Sequence, residues 1–177
     1  MTGILIEKIG KRRGLSETVI GYIALVLRIL FIAAVGTVLF TKVFLAMQVT
    51  GNEMFPALKD GDLILAFRLQ KNYAKNDIVA YTYGGNTYVG RIAALENDVV
   101  TVDESGVLLV NGTEQTGDIL YPTYAEDGLL YPYKVSEGCV FVLGDYRTAA
   151  HDSRERGEIA LESVGGKVIS FLRRSGL

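Results

Sequence analysis

Residues 19–47 are apolar except for Arg28 and Lys42. The stretch 20–41 is 22 residues, about 33 Å of helix at ~1.5 Å per residue, long enough to cross a bilayer. A run of this length belongs in lipid or in the middle of a large core, and a chain of 177 residues offers little core to hide it. A cleavable signal peptide is the other alternative. The run is long for that role, and no clear A-x-A site follows it. The sequence therefore predicts an uncleaved anchor over 20–41, a basic segment over 1–19, and one further domain over 42–177. Arg28 lies near the start of the anchor and can snorkel to the headgroups. A short amphipathic surface helix is a further expectation over residues 3–13.

Charge gives the anchor a direction. Residues 1–49 sum to +4 and residues 50–177 to −6, which together make the net −2. Lys8, Lys11, Arg12 and Arg13 precede the apolar run, so the N-terminus is expected in the cytoplasm and the larger domain outside the cell membrane. A basic start on an acidic body gives no footprint for nucleic acid. Cys139 is the only cysteine and His151 the only histidine. That excludes an intrachain disulfide and a structural zinc site, and nothing in the chain points to a cofactor.

Beyond residue 45 the texture is that of antiparallel β structure. Short runs such as DLILAF, DIVAYTY, TYVGRIAAL, DVVTVD, GVLLVNG and CVFVLGD are rich in Val, Ile, Leu and Tyr and punctuated by Gly, Asn and Asp. DESG reads as a hairpin turn, and Asn111-Gly112 as a type I′ turn. Asn111 also heads an N-G-T sequon, which a tight turn makes a poor acceptor. The segment ALESVGGKVISFLRR reads as a turn and a last strand. Residues 116–138, with Tyr121, Tyr124, Tyr131 and Tyr133, show the least pattern and read as a surface excursion. Its tyrosines either carry binding or pack on the sheet.

Several ordered motifs make the chain resemble the bacterial type I signal peptidases along nearly its whole length. The family's first motif, S-G-x-S-M-x-P-T-L, stands here as Thr50-Gly51-Asn52-Glu53-Met54-Phe55-Pro56-Ala57-Leu58, with Gly61-Asp62 beyond it. G-D-I-V stands as Asn76-Asp77-Ile78-Val79. The lysine segment, K-R-V-I-G-x-P-G-D, begins here with Gly90-Arg91, and G-x-L-Y-V-N-G matches residues 106–112. The last motif, G-D-N-R-x-x-S-x-D-S-R, is Gly144-Asp145-Tyr146-Arg147-Thr148-Ala149-Ala150-His151-Asp152-Ser153-Arg154, and Gly157 and Gly166-Lys167 complete the tail. The resemblance implies a mainly β, signal peptidase I-like antiparallel domain behind one N-terminal transmembrane helix. It also implies structural roles for Gly51, Arg91, Gly144, Asp145, Arg147, Asp152, Ser153 and Arg154, with Asp152 pairing Arg147 or Arg154.

The positions that carry the family's chemistry are exchanged. The nucleophilic serine is Glu53, the lysine base is Gly90, and the serine that supports the lysine is Ala150. A serine hydroxyl needs an adjacent base to attack an amide, and a lysine serves only when burial keeps it neutral. Attack by the Glu53 carboxylate would give an anhydride from a poor amine leaving group. Gly90 accepts no proton. Lys134, in a loop, and Lys167, in the Gly-Lys tail, do not fit the pattern of a replacement base, and His151 reads as a surface residue. The expectation is a pseudoenzyme without catalytic residues, in which Glu53, Met54, Phe55 and Pro56 are the candidate binding residues and Glu53 beside a glycine gap forms an acidic slot. An acidic serine position with a glycine lysine position resembles the signal peptidase-like proteins of Gram-positive pilus assembly. That resemblance implies pilin subunits, and a pilus sortase, as partners of a chaperone-like accessory factor. The alternative is an active signal peptidase I with displaced catalytic groups, and a third reading is an anchored β domain with another binding role.

Overall fold

A computed structural model describes residues 17–115 and 121–173. The chain divides into two compact units, Met1–Thr41 and Lys42–Leu177. Helix α1 runs Glu17–Val43, all but its last two residues in the first unit, without a buried side chain. It is the one helix among the described residues that is long and apolar enough to cross a membrane, as an anchor or as a signal sequence. The surface helix expected over 3–13 lies outside the described residues.

The second unit has the expected mainly β architecture. Its strands are β1 (Phe44–Gln48), β2 (Leu63–Phe67), β3 (Ile78–Tyr83), β4 (Asn86–Ala94), β5 (Val99–Val102), β6 (Leu108–Val110), β7 (Thr113–Glu114), β8 (Tyr133–Lys134), β9 (Cys139–Leu143), β10 (Ile159–Ala160) and β11 (Val164–Leu172). A four-residue helix, α2 (Ser153–Arg156), follows β9. Seven strands form one sheet in the order β1-β2-β11-β3-β4-β9-β10, and four form a second in the order β7-β6-β5-β8. The last strand inserts between β2 and β3, and each pairing is antiparallel.

Local sequence explains these choices. In β2, Ile64 and Ala66 are buried while Leu63 is exposed, the alternation of a strand with one covered face. In β9, residues 140–143 are all buried, as befits a strand covered on both faces. Gly84 and Gly85 both have positive φ and close the β3–β4 hairpin in two residues; Asn111 (φ 53°) and Gly112 (φ 78°) do the same between β6 and β7. The Asn111 amide donates to Asp98 at 2.6 Å and its carbonyl accepts from the Val99 N–H at 2.8 Å. It is a structural corner of the turn.

The excursion at 121–138 is less superficial than its sequence suggests. Tyr133 and Lys134 form β8 and pair with Val100 and Val99, so Lys134 lies on a strand and not in the loop expected for it. Val135 and Thr123 are buried. Tyr131 and Tyr133 pack on the cluster around Phe141 and Leu143, whereas Tyr124 is exposed.

Candidate binding groove at residues 53 and 88

The loop between β1 and β2 carries Glu53 and is braced on itself. Val49 N–H donates to Asp62 O at 2.8 Å, Gly61 N–H returns to Val49 O at 2.9 Å, and Gly51 N–H donates to the Asp60 carboxylate at 2.8 Å. Gly51 has φ +83°, a conformation that favours glycine. Met54 and Leu58 fill the core beneath this loop with Ile64 and Val49.

Above them lies a cavity of about 300 Å³. Met47, Val49, Thr50, Glu53 and Met54 come to it from the β1 side, and Asn86, Thr87, Tyr88 and Val89 from the start of β4. Glu53 is half-buried, with its backbone carbonyl accepting from Tyr146 N–H at 2.9 Å. Of the four candidate binding residues, Glu53 and Met54 line the cavity. The Phe55 ring instead lies 6.2 Å from that of Tyr146 and under Lys59, beside the half-buried Pro56. Tyr146 in turn stacks on Tyr121 at 4.6 Å. The loop at 53–56 and the tyrosine excursion are thus joined by a row of three rings.

The space at residue 90 is filled. A Cβ built there would stand 2.4 Å from Val142 Cγ1 and 3.3 Å from both Leu143 O and Tyr81 Cε1. The expected glycine gap beside Glu53 is therefore occupied by its neighbours on β9 and β3, because a residue without a side chain lets adjacent strands close over it. Burial pushes the Tyr81 hydroxyl up to about 12; Asp152 and Glu53 add to the rise, and the Arg156 guanidinium opposes it through charge and a hydrogen bond. Gly144 is a second tight place, since a Cβ there would lie 2.4 Å from Ala150 Cβ and 2.7 Å from Glu53 O. With Ala150 buried, neither position 90 nor position 150 supplies a polar side chain.

The other motif residues build the support. Arg91 grips Asp145 with two hydrogen bonds of 2.8 and 2.7 Å. Asp152 caps α2 and accepts from Arg154 N–H, from Arg154 Nε at 2.9 Å and from Gly144 N–H at 3.0 Å. Of the two expected partners of Asp152, the arginine that pairs is Arg154. Arg147 turns away to Gly144 O at 2.9 Å, to the Thr123 hydroxyl and to Gln115. Burial lowers its guanidinium to about 10 against the opposing pull of Asp152. The Ser153 hydroxyl accepts from Val142 N–H at 2.9 Å. His151 is exposed and pairs with Glu155 at 2.7 Å, and Lys167 pairs with Asp77 at 2.6 Å. No group of three or more His, Cys, Asp or Glu side chains among the described residues is placed to hold a metal ion.

Sequence reasoning missed the wall from β4 and the contribution of Arg156. Tyr88 was legible in part. It lies two residues before Gly90 and so shares its face, and it pairs with Tyr81 across the hairpin. Arg156 gave no signal, because its partners Tyr83 and Tyr88 are about seventy positions away in the chain.

A family model described as signal peptidase, peptidase S26, matches residues 22–172. The chain is 32% identical over 139 residues to thylakoidal processing peptidase 1 of Arabidopsis thaliana, covering 69% of this chain and 40% of that protein. It spans well under two thirds of that relative. It is 30% identical over 142 residues to signal peptidase I of Bacillus caldolyticus, covering 71% of this chain and 78% of that protein. A crystal structure of a signal peptidase I from Enterococcus faecalis aligns with TM-score 0.47 and 26% identity, over 56% of this chain and 97% of that one.

Proposed function

The chain belongs to the signal peptidase family, peptidase S26, and from that premise we propose that it is a non-catalytic member, a membrane-anchored, chaperone-like accessory factor in sortase-dependent pilus assembly. The observation that carries this reading is the pair of exchanges at 53 and 90: a carboxylate where the family's first motif has its nucleophile, and a glycine whose side-chain space is taken by Val142 and Tyr81. In serine proteases the loss of a single member of the catalytic unit lowers the rate by ~10⁴- to 10⁶-fold. What remains is a groove with a charged floor residue and a half-apolar lining, suited to an extended polypeptide. Pilin subunits are the proposed ligands and a pilus sortase the proposed neighbour, on the strength of the acidic–glycine exchange.

Full-length protein in detergent is expected to leave a preprotein uncut and to bind a pilin subunit. Glu53→Ala should weaken that binding by roughly 5- to 150-fold, the equivalent of ~1–3 kcal/mol for a charged contact that is partly desolvated. The tyrosine excursion at 121–133 is the competing surface. Full binding by Glu53→Ala together with loss on Tyr121→Ala would make the groove idle.

A second reading has its own support, because the relatives are named peptidases. Under it, a displaced aliphatic hydroxyl does the chemistry, and the residues with such a hydroxyl that line the cavity with Glu53 are Thr50 and Thr87. Preprotein cleavage that disappears in Thr50→Val or Thr87→Val would establish this reading and overturn the first.

A further inference from the structure

The wall of the groove that comes from β4 is built on a weakly supported hairpin. Residues 86–90 pair with β3, and β9 joins β4 only from Arg91 onward. Residues 82–87 are exposed. A two-residue Gly84-Gly85 turn closes the tip. On β3 the neighbouring strand β11 reaches only to Tyr81, so the end of the hairpin beyond Tyr81 has no further strand beside it, and an exposed end of this kind opens readily unless something else holds it.

Arg156 is placed to hold it. Its guanidinium lies 4.0 Å from the centroid of the Tyr88 ring and 5.4 Å from that of Tyr83. Its charge also acts on the hydroxyl of Tyr81, the residue paired with Tyr88. One face of the arginine thus touches both strands of the hairpin. Its own backbone is fixed on the other side. Arg156 N–H donates to Asp152 O at 2.9 Å, Asp152 is gripped by Gly144 and Arg154, and Ser153 is bonded to β9. The Nη1 atom is buried without a hydrogen-bond partner among the described residues. Hydrogen bonding alone is therefore a poor account of why the guanidinium sits here, whereas a flat cation laid over two tyrosine rings is a sufficient one.

We propose that Arg156 is a positioning residue: a stacked clamp that ties the β3–β4 hairpin to α2 and fixes the Tyr88 wall at the working width of the groove. The Tyr88 ring it holds lies 5.9 Å from that of Tyr81, whose ring fills the space beside Gly90, so the clamped wall borders the exchanged base position. The inference rests on the reading of the groove as a partner site, but its mechanical part does not need the partner.

Amide hydrogen exchange on the full-length protein tests the mechanical part, and capture of a purified pilin subunit tests its consequence. In Arg156→Ala the amides of residues 82–88 should exchange about ten-fold faster, with the β9 amides unchanged and pilin affinity reduced by a similar factor. Arg156→Lys keeps the charge and loses the flat stacking face, so it should behave like the alanine variant. If lysine restores wild-type exchange, charge alone matters and the clamp is wrong. Unchanged exchange at 82–88 in Arg156→Ala also overturns it. Should the alanine variant fail to fold, Arg156→Lys and Tyr83→Leu carry the same comparison. A wild-type protein that captures no pilin subunit counts against the accessory-factor reading, and the exchange data then decide the clamp by themselves.

Discussion

His151 shows how much a single residue's neighbours decide. It follows Ala150, where the family resemblance places the serine that supports the lysine, and its strong contact is with exposed Glu155, one helical turn on. The hydrogen bond and charge of Glu155 raise the imidazole above its ordinary 6.5. Because the folded value is raised, the pair adds stability below about pH 6.5, and that contribution is lost as pH rises through the folded value. Both side chains are solvated, so the contribution is small. As the chain's single histidine, it gives one imidazole titration by NMR. The midpoint is expected above that of an unstructured peptide and should fall back in Glu155→Gln. An unchanged midpoint in that variant would remove Glu155 as the cause.

The short helix α2 carries far more than its length suggests. Asp152 caps it, joins it to Gly144 and neutralises Arg154, which is 1% exposed. Asp152→Ala would leave that arginine buried without its carboxylate, a loss of about 3–5 kcal/mol. Asp152→Asn, which keeps an acceptor, should lose less, and urea unfolding of the two variants would separate them. A loss under about 1 kcal/mol for the alanine change would mean that Glu126, 3.7 Å from Arg154, takes over. Elements of this kind were legible from sequence wherever chemistry is local. The longer strands from β2 to β6, with β9 and β11, showed in their Val/Ile/Leu runs, and the β6–β7 turn in Asn111-Gly112, whereas β1 was hidden in the end of the apolar run and the choice of Arg154 over Arg147 as partner of Asp152 came only with the structure. What else escaped was set by strand pairing at long range. The filling of the space at Gly90 depends on Val142 and Tyr81 from two other strands, and the β4 wall of the groove depends on a helix that follows β9. No periodicity in residues 86–90 announces either neighbour.

At the scale of the whole molecule, the decisive asymmetry is between the two ends of α1. Lys8, Lys11, Arg12, Arg13 and Arg28 lie before or early in the apolar run, and Lys42 alone lies at its far end. Basic residues are retained on the cytoplasmic side more strongly than acidic ones are exported, so the −6 on residues 50–177 is a weaker guide than the cluster before residue 14. The expected arrangement has residues 1–19 inside and the β unit outside. That arrangement puts the groove where secreted subunits emerge. Protease added to intact protoplasts should therefore remove the β unit and leave a membrane-protected N-terminal fragment. A β unit that resists protease until the membrane is permeabilised would reverse the orientation and with it the case for pilin as ligand. The same preparation decides between an anchor and a signal sequence. An anchored chain keeps its full 19.3 kDa in the membrane fraction, whereas a cleaved one appears shortened and is released. Release would also dissolve the proposed role, because an accessory factor that meets its subunits at the membrane surface gains its effective concentration from being tethered there.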